Sequence, residues 1–296
     1  MSQSSSSKQS VLIGVLSGAL VVAIGAAVFL YMNSGVRAVG GAEPAASEAS
    51  ATVSETVVAI APPSVSDSMK ELFGLQQGSE EAKTKPDQLT KAAFSTEFNL
   101  GSDRFYAQFF QSQDLLENGE VSDSHASSVD LSVITYKQTG ATWSVIDKKV
   151  ELAESGTWGS LSDAPVEKLQ LSPSSFGLLV NEGFSGQGYY HDGKSIFVFA
   201  SNQWQHVGHV ETGASNSGAC DPEFKPGSSD EFAKPCYEHT GKISVAPNAK
   251  GEFPDLLVIK QGTQDGEQPN QVVPAKNVTV KYIKDKYKDP TNPDGE

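Results

Sequence analysis

The apolar positions of this chain change period twice. Residues 11–31, VLIGVLSGALVVAIGAAVFLY, run for 21 positions without a charge. As a helix they span roughly 30 Å, the thickness of a bilayer's hydrocarbon core. From residue 33 to 65 the apolar side chains scatter among Ala, Ser, Glu and Pro, ending near Pro62-Pro63. That composition reads as a flexible linker with a reach on the order of 30 Å. Helical spacing follows briefly: Ser68-Met69-Lys70-Glu71 has the form of a capping box, Met69, Leu72 and Phe73 share one face, and Gly74 ends the helix. A second short helix is predicted over residues 86–94, with Pro86 at its start.

From Phe94 onward the period is two. RFYAQFFQ (104–111) and VDLSVITY (129–136) alternate, a turn at Gly140 follows, and residues 143–152 return. FGLLVN (176–181) is the next strand. SIFVFA (195–200) and WQHVGHV (204–210) flank a turn at Asn202-Gln203, and Asp192-Gly193 is read as a hairpin turn. LLVI (256–259) is a continuous apolar run and VTVKYI (278–283) alternates again, before a Lys- and Pro-rich end read as a frayed tail. The predicted fold is an all-β outer domain, a β-meander arranged as a propeller-like body or a sandwich, with one N-terminal transmembrane helix and minor helices. The chain divides into a cytoplasmic tail (1–10), the anchor (11–31), the linker (32–65), a helical or irregular lead-in (66–98), the β-rich extracytoplasmic domain (99–284) and a tail (285–296).

Lys8 precedes the span and Arg37 follows it, so the positive-inside signal is nearly balanced. A short tail before a long apolar span suits a signal anchor in the inner membrane with the N-terminus in the cytoplasm. The alternative is a cleaved leader ending near Ala38-Val39-Gly40, whose apolar region would usually be only about 7–15 residues. Gly14 and Gly18, with Ala19, Ala23 and Ala27 beside them, have the spacing that lets two membrane helices pair, so a homodimer through the anchor is one expectation. The formal charge is −14, and −15 without residues 1–31, whose one formal charge is Lys8. That balance argues against nucleic acid as a partner.

Two stretches repeat one plan. DLSVITYKQTGATWSVIDKKVELAESG and GKSIFVFASNQWQHVGHVETGASNSG each run strand, polar turn, Trp, strand, with Trp143 and Trp204 61 residues apart; NVTVKYIKDKYKD is a shorter copy with Tyr287 in the Trp place. GEFPDLLVIKQGT (251–263) and GYYHDGKSIFVF (188–199) resemble the FG-GAP/VCBS type of propeller repeat, over less than half of the outer domain. The resemblance implies a binding or scaffold architecture. The calcium loop DxDxDG common in such repeats does not occur here.

Cys220 and Cys236 bracket a polar loop, and in an oxidising compartment they read as a disulfide. The alternative is a metal site of Cys220, Cys236 and His239, for which no fourth ligand is marked. Residues 188–195 match GxxxxGK[ST], yet a strand rather than a helix follows, so no phosphate cradle is expected. His206 and His209 would pair on a helix; on a regular strand they face opposite ways. Gly183-Phe184-Ser185-Gly186-Gln187 misses the nucleophile elbow at its last position. A hydrolase would need His125, His191 or His239 gathered from separate loops beside an acid and a nucleophile. GFSGQGYY (183–190), with Phe184, Gln187, Tyr189 and Tyr190, is the candidate contact surface. The expectation is therefore a membrane-anchored binding or scaffold module with an envelope protein as partner, and no catalytic residue, metal or cofactor is assigned. A cysteine introduced at Ser5 should resist an impermeant maleimide in intact cells and react after permeabilisation; labelling from outside would reverse the orientation.

Overall fold

The computed structural model describes residues 60–225, 234–288 and 290. The proposed tail and anchor, with the Gly14–Gly18 pair and most of the linker, lie outside the described residues. Among those described, no helix is long and apolar enough to cross a membrane.

The chain enters through helix α1 (Val65–Phe73). Its cap is Ser64, not Ser68: Ser64 Oγ accepts from the Asp67 amide at 3.1 Å. Ser68 lies inside the helix, buried, and receives the Tyr136 hydroxyl at 3.1 Å. Gly74 ends α1 in the left-handed region, as the sequence predicts.

The first sheet is built in chain order from β1 (Glu81–Lys85), β2 (Gln88–Leu100), β3 (Asp103–Asp114), β4 (Val129–Thr139) and β5 (Thr142–Ser155), all antiparallel neighbours. The predicted helix over 86–94 is instead the β1–β2 turn and the first half of β2. Buried Thr90 explains why: its hydroxyl bonds Ser112 at 2.7 Å and Thr84 at 2.6 Å, so cross-strand partners outweigh the local helical spacing. β3 is buried on both faces. Tyr106 and Phe110 meet Met69 and Leu72 of α1, while Phe105, Ala107 and Phe109 face the second sheet.

That second sheet holds β6 (Glu167–Ser172), β7 (Ser175–Gly186), β8 (Tyr189–Ala200), β9 (Gln203–Ser215), β10 (Glu238–Val245), β11 (Leu256–Asp265), β12 (Val272–Pro274), β13 (Val278–Ile283) and β14 (Lys286–Lys288). The order is β14-β13-β11-β10-β9-β8-β7-β6, with β12 attached to β11. Asp192-Gly193 is not a turn. It lies within β8, and the β7–β8 turn is at Gln187-Gly188, both at positive φ. The β8–β9 turn falls at Ser201-Asn202, one residue before its expected place. The frayed tail also begins later than read: β14 pairs with β13, and Tyr287 is buried with its hydroxyl donating to the Pro254 carbonyl at 2.9 Å.

All three repeated stretches are hairpins, β4–β5, β8–β9 and β13–β14, and their aromatic residue is always the second of the returning strand. Two cores result. One lies between the sheets, where Phe98, Phe105, Phe109, Phe176, Phe197 and Phe199 surround Trp204. The other lies on the opposite face of the second sheet, where β14 comes back against β9 and Tyr287 joins Val207, Val210, Val258 and Val280. Trp204 Nε1 donates to Thr135 Oγ1 at 3.0 Å, a buried bond from sheet to sheet. Trp204→Ala should lower stability by about 3–5 kcal/mol, and Thr135→Val, which orphans the indole N–H, by about 1–3 kcal/mol. Urea unfolding at neutral pH measures both; a Trp204→Ala loss under about 1 kcal/mol would refute this core's role.

Candidate functional site

The chain passes from the first sheet to the second once, through residues 156–166, between β5 and β6. This crossover is tied down from below. Buried Gln111 accepts from the Leu161 amide at 3.2 Å, and buried Gln113 donates to the Gly159 carbonyl. Gly159 N donates to the Ser127 carbonyl at 2.8 Å, and Thr157 Oγ1 donates to the Gly183 carbonyl of β7 at 3.3 Å. At the crest sits Trp158, with φ +58° and 57% of its surface exposed. A bulky side chain at positive φ costs on the order of 1–3 kcal/mol. Exposing an indole to water recovers none of it.

The crossover walls two adjoining cavities of about 340 and 310 Å³, which share Ser162, Asn181, Glu182 and Gly183. Trp158 borders the smaller. The larger is a trough across β7–β10, where four successive strands each place a glycine: Gly183, Gly193, Gly213 and Gly241. Strand-interior glycine marks places where another group approaches the backbone closely. At three of them the group is internal: a Cβ would lie 2.2 Å from the His209 ring at Gly193, 2.7 Å from the Thr212 carbonyl at Gly241 and 3.1 Å from the His239 carbonyl at Gly213, whereas at Gly183 nothing comes nearer than 3.4 Å. Between Gly183 and Gly213 lies the Asp192 carboxylate, exposed; among the described residues no side chain or amide donates to it. Lys194 is spent within the wall, bonded to Glu167 at 2.8 Å and to Asn181.

Glu182 forms the polar hub under the shared wall. Its Oε1 accepts from Ser155 of the first sheet at 2.5 Å and from Ser195 at 2.7 Å, and its Oε2 accepts from His209 Nδ1 at 3.0 Å. Burial by itself raises the carboxyl pKa. The hydrogen bonds from His209, Ser155 and Ser195, with the His209 charge, outweigh it and hold the pKa down to about 2. His206 Nε2 stands 3.4 Å from Ser195 Oγ, and burial pushes its pKa down. A β-bulge, Ser195 opposite His209 but Phe197 opposite His206, puts His209 on Glu182 and His206 beside the Ser195 hydroxyl that Glu182 holds, contrary to the strict alternation read from the sequence.

A second row crosses four strands. His191 of β8 meets Glu211 of β9 at 3.4 Å, with His239 of β10 at 3.8 Å and Lys260 of β11 at 3.4 Å. His239 is buried without a hydrogen-bond partner on either ring nitrogen, and burial, then the Lys260 charge, lowers its pKa.

These networks are not arranged as an acyl-transfer relay. Such a relay needs an exposed serine whose proton goes to a histidine oriented by a carboxylate. Here Ser195 is buried and donates to the carboxylate itself, a poor base at a pKa of about 2. His125 lies against Trp158, rings 5.7 Å apart, while His191 and His239 flank Glu211. Cys220 and Cys236 are bonded to each other, Cα atoms 5.0 Å apart, which removes both thiols from the alternative metal site with His239. Among the described residues no group of three or more His, Cys, Asp or Glu is placed to hold a metal.

Of the candidate contact residues, Phe184 and Tyr190 are exposed at the far end of the β7–β8 hairpin, 54% and 48%. Gln187 forms the turn, and Tyr189 lies beneath Lys234, whose Nζ is 3.3 Å from its hydroxyl. Trp158, Asp192, Thr212 and Thr240 are the residues that sequence reasoning passed over. The available signals were an indole between Gly156 and Gly159 and glycines inside alternating strands. No protein-family model, curated protein or solved structure matches this chain.

His206 and His239 have folded pKa values below their ordinary 6.5, so their contribution is complete above about 6.5 and lost as pH falls through the folded values. Glu182, ordinarily 4.5, contributes fully above that value and loses its contribution as pH falls toward about 2. Thermal melts against pH should therefore show two successive losses. His206→Gln and His239→Gln should flatten the upper one and Glu182→Gln the lower; a single loss below 4.5, unchanged in the histidine variants, would contradict this.

Proposed function

We propose that this protein is a single-pass, membrane-anchored binding or scaffold module. In this reading residues 11–31 hold it in the inner membrane, pairing of Gly14 and Gly18 brings two copies together, and the β-rich part stands outside the cytoplasm. The likeness to FG-GAP/VCBS-type repeats belongs to the same reading. The Cys220–Cys236 bond fits an oxidising compartment.

Trp158 is the observation that carries the binding function. It is displayed at a backbone conformation that bulky residues avoid, on a loop fastened by two buried glutamines, beside a bare-floored trough. The Thr157–Ser160 turn sets the positive φ and His125 lies against the ring, but neither calls for an indole, and ligand contact does. Phe184 and Tyr190 are exposed on opposite faces of the hairpin tip. A hydrolase reading finds no exposed nucleophile joined to a histidine in either network, so binding is the better-supported function.

A site-specific photo-crosslinker in place of Trp158 or Phe184, in the full-length anchored chain in its cells, should give discrete adducts. The same group at Lys281 of β13 should not. Trp158→Gly should keep or raise stability, by up to about 1 kcal/mol from relieved strain. A destabilisation of about 2 kcal/mol or more would make Trp158 a structural residue and defeat the reading.

A further inference from the structure

We propose that the two joined cavities bind a neutral saccharide chain, one ring lying on Trp158 and a neighbouring ring over the glycine floor beside Asp192. The inference rests on the binding reading above and names its ligand class.

A ligand for this site must satisfy two unlike surfaces at once. The exposed indole needs a flat apolar face to cover. The trough offers hydrogen-bonding groups of both senses: the unpartnered Asp192 carboxylate accepts and the exposed Thr240 hydroxyl donates or accepts, while the Thr212 hydroxyl is spent on the Asp192 carbonyl at 3.4 Å. A pyranose ring has both characters, carbon-bound hydrogens on its faces and hydroxyls around its edge. A purely apolar ligand would strand Asp192, and a purely polar one would leave Trp158 uncovered.

Charge narrows the class. Lys194 is the one cation lining either cavity, and it is already bonded to Glu167 and Asn181. Asp192 stands free beside it. A phosphate or a uronic acid would therefore be repelled by an uncompensated carboxylate, whereas a neutral sugar would donate its hydroxyls to it. Backbone chemistry disfavours an extended peptide. Beyond Leu179 the edge of β7 is not paired with β6, yet the crossover lies against it: Thr157 Oγ1 donates to the Gly183 backbone carbonyl, and the Asn181 side-chain Nδ2 donates to the Pro165 carbonyl. A continuous row of free strand groups, which strand addition requires, is absent from this stretch among the described residues. Finally, each cavity is near the small end of ligand sites, and the two abut. Adjoining small cavities suit a chain of units better than one large ligand.

The test is a glycan array of neutral, acidic and amino oligosaccharides, probed with the full-length chain in a detergent without a sugar headgroup. Calorimetry then follows on the retained glycans. Neutral oligosaccharides should be retained, and Trp158→Ala and Asp192→Ala should each weaken binding by about tenfold or more. Lys281→Ala should leave it unchanged. Retention of acidic or amino glycans alone, or binding indifferent to Trp158 and Asp192, overturns the proposal. If no glycan is retained while adducts still form from position 158, the ligand class is wrong and the binding site stands. If neither occurs, both readings fail.

Discussion

Trp204 and the six phenylalanines around it hold the molecule together. Each sheet is built from a contiguous half of the described chain, and one crossover of eleven residues, 156–166, joins them. Most strands pair with sequence neighbours, so each half can form through local hairpins. The halves are brought to a fixed spacing by the aromatic layer between them. Rings such as Phe98 and Phe176, centroids 4.4 Å apart, stack across that layer. The indole N–H of Trp204 reaches Thr135 of the other sheet and its backbone N–H reaches Asp147 at 3.1 Å, so the contact has a register as well as a thickness. Apolar area alone would let the sheets slide; two polar bonds placed within or beside it do not.

Where the aromatic layer ends, the same faces become polar. Along β7 the inward series runs Phe176, Leu178, Val180 and then Glu182, and along β8 it runs Phe199, Phe197 and then Ser195. The seam continues there as hydrogen bonds, with Ser155 of the first sheet on Glu182 of the second. Four of the five histidines of the chain lie at this polar end of β8–β10. The change from carbon to carboxylate explains why cavities open at this end. The polar side chains there pair with one another along the strands instead of filling the space between them, and Gly183 adds no side chain to it.

Much of the fold can be read in the chain and less of the site, for physical reasons. Period-two alternation marks strands because their two faces differ, and it placed β3, β4, β8, β9 and β13. It fails over 86–94, where the pattern imitates a helix and the deciding partners, Ser112 and Thr84, are distant or on another strand. It also misses β10, EHTGKISV, whose apolar residues are too sparse to alternate visibly. Asp192-Gly193 misleads in another way. Its glycine serves the His209 ring on the neighbouring strand, and local turn chemistry contains no information about that ring. The disulfide was legible because two cysteines leave one pair to make. The trough was not, because it is assembled from glycines, which signal through what they lack.

The crossover that carries Trp158 is fastened to Gln111 and Gln113 of the first sheet, whereas the trough belongs to the second. An occupant reaching both cavities would touch each half of the molecule at the place where only eleven residues of backbone join them. It would behave as a removable clasp: by mass action, occupancy would oppose separation of the sheets. Load applied to one half could then reach the other through the bound molecule as well as through the aromatic layer.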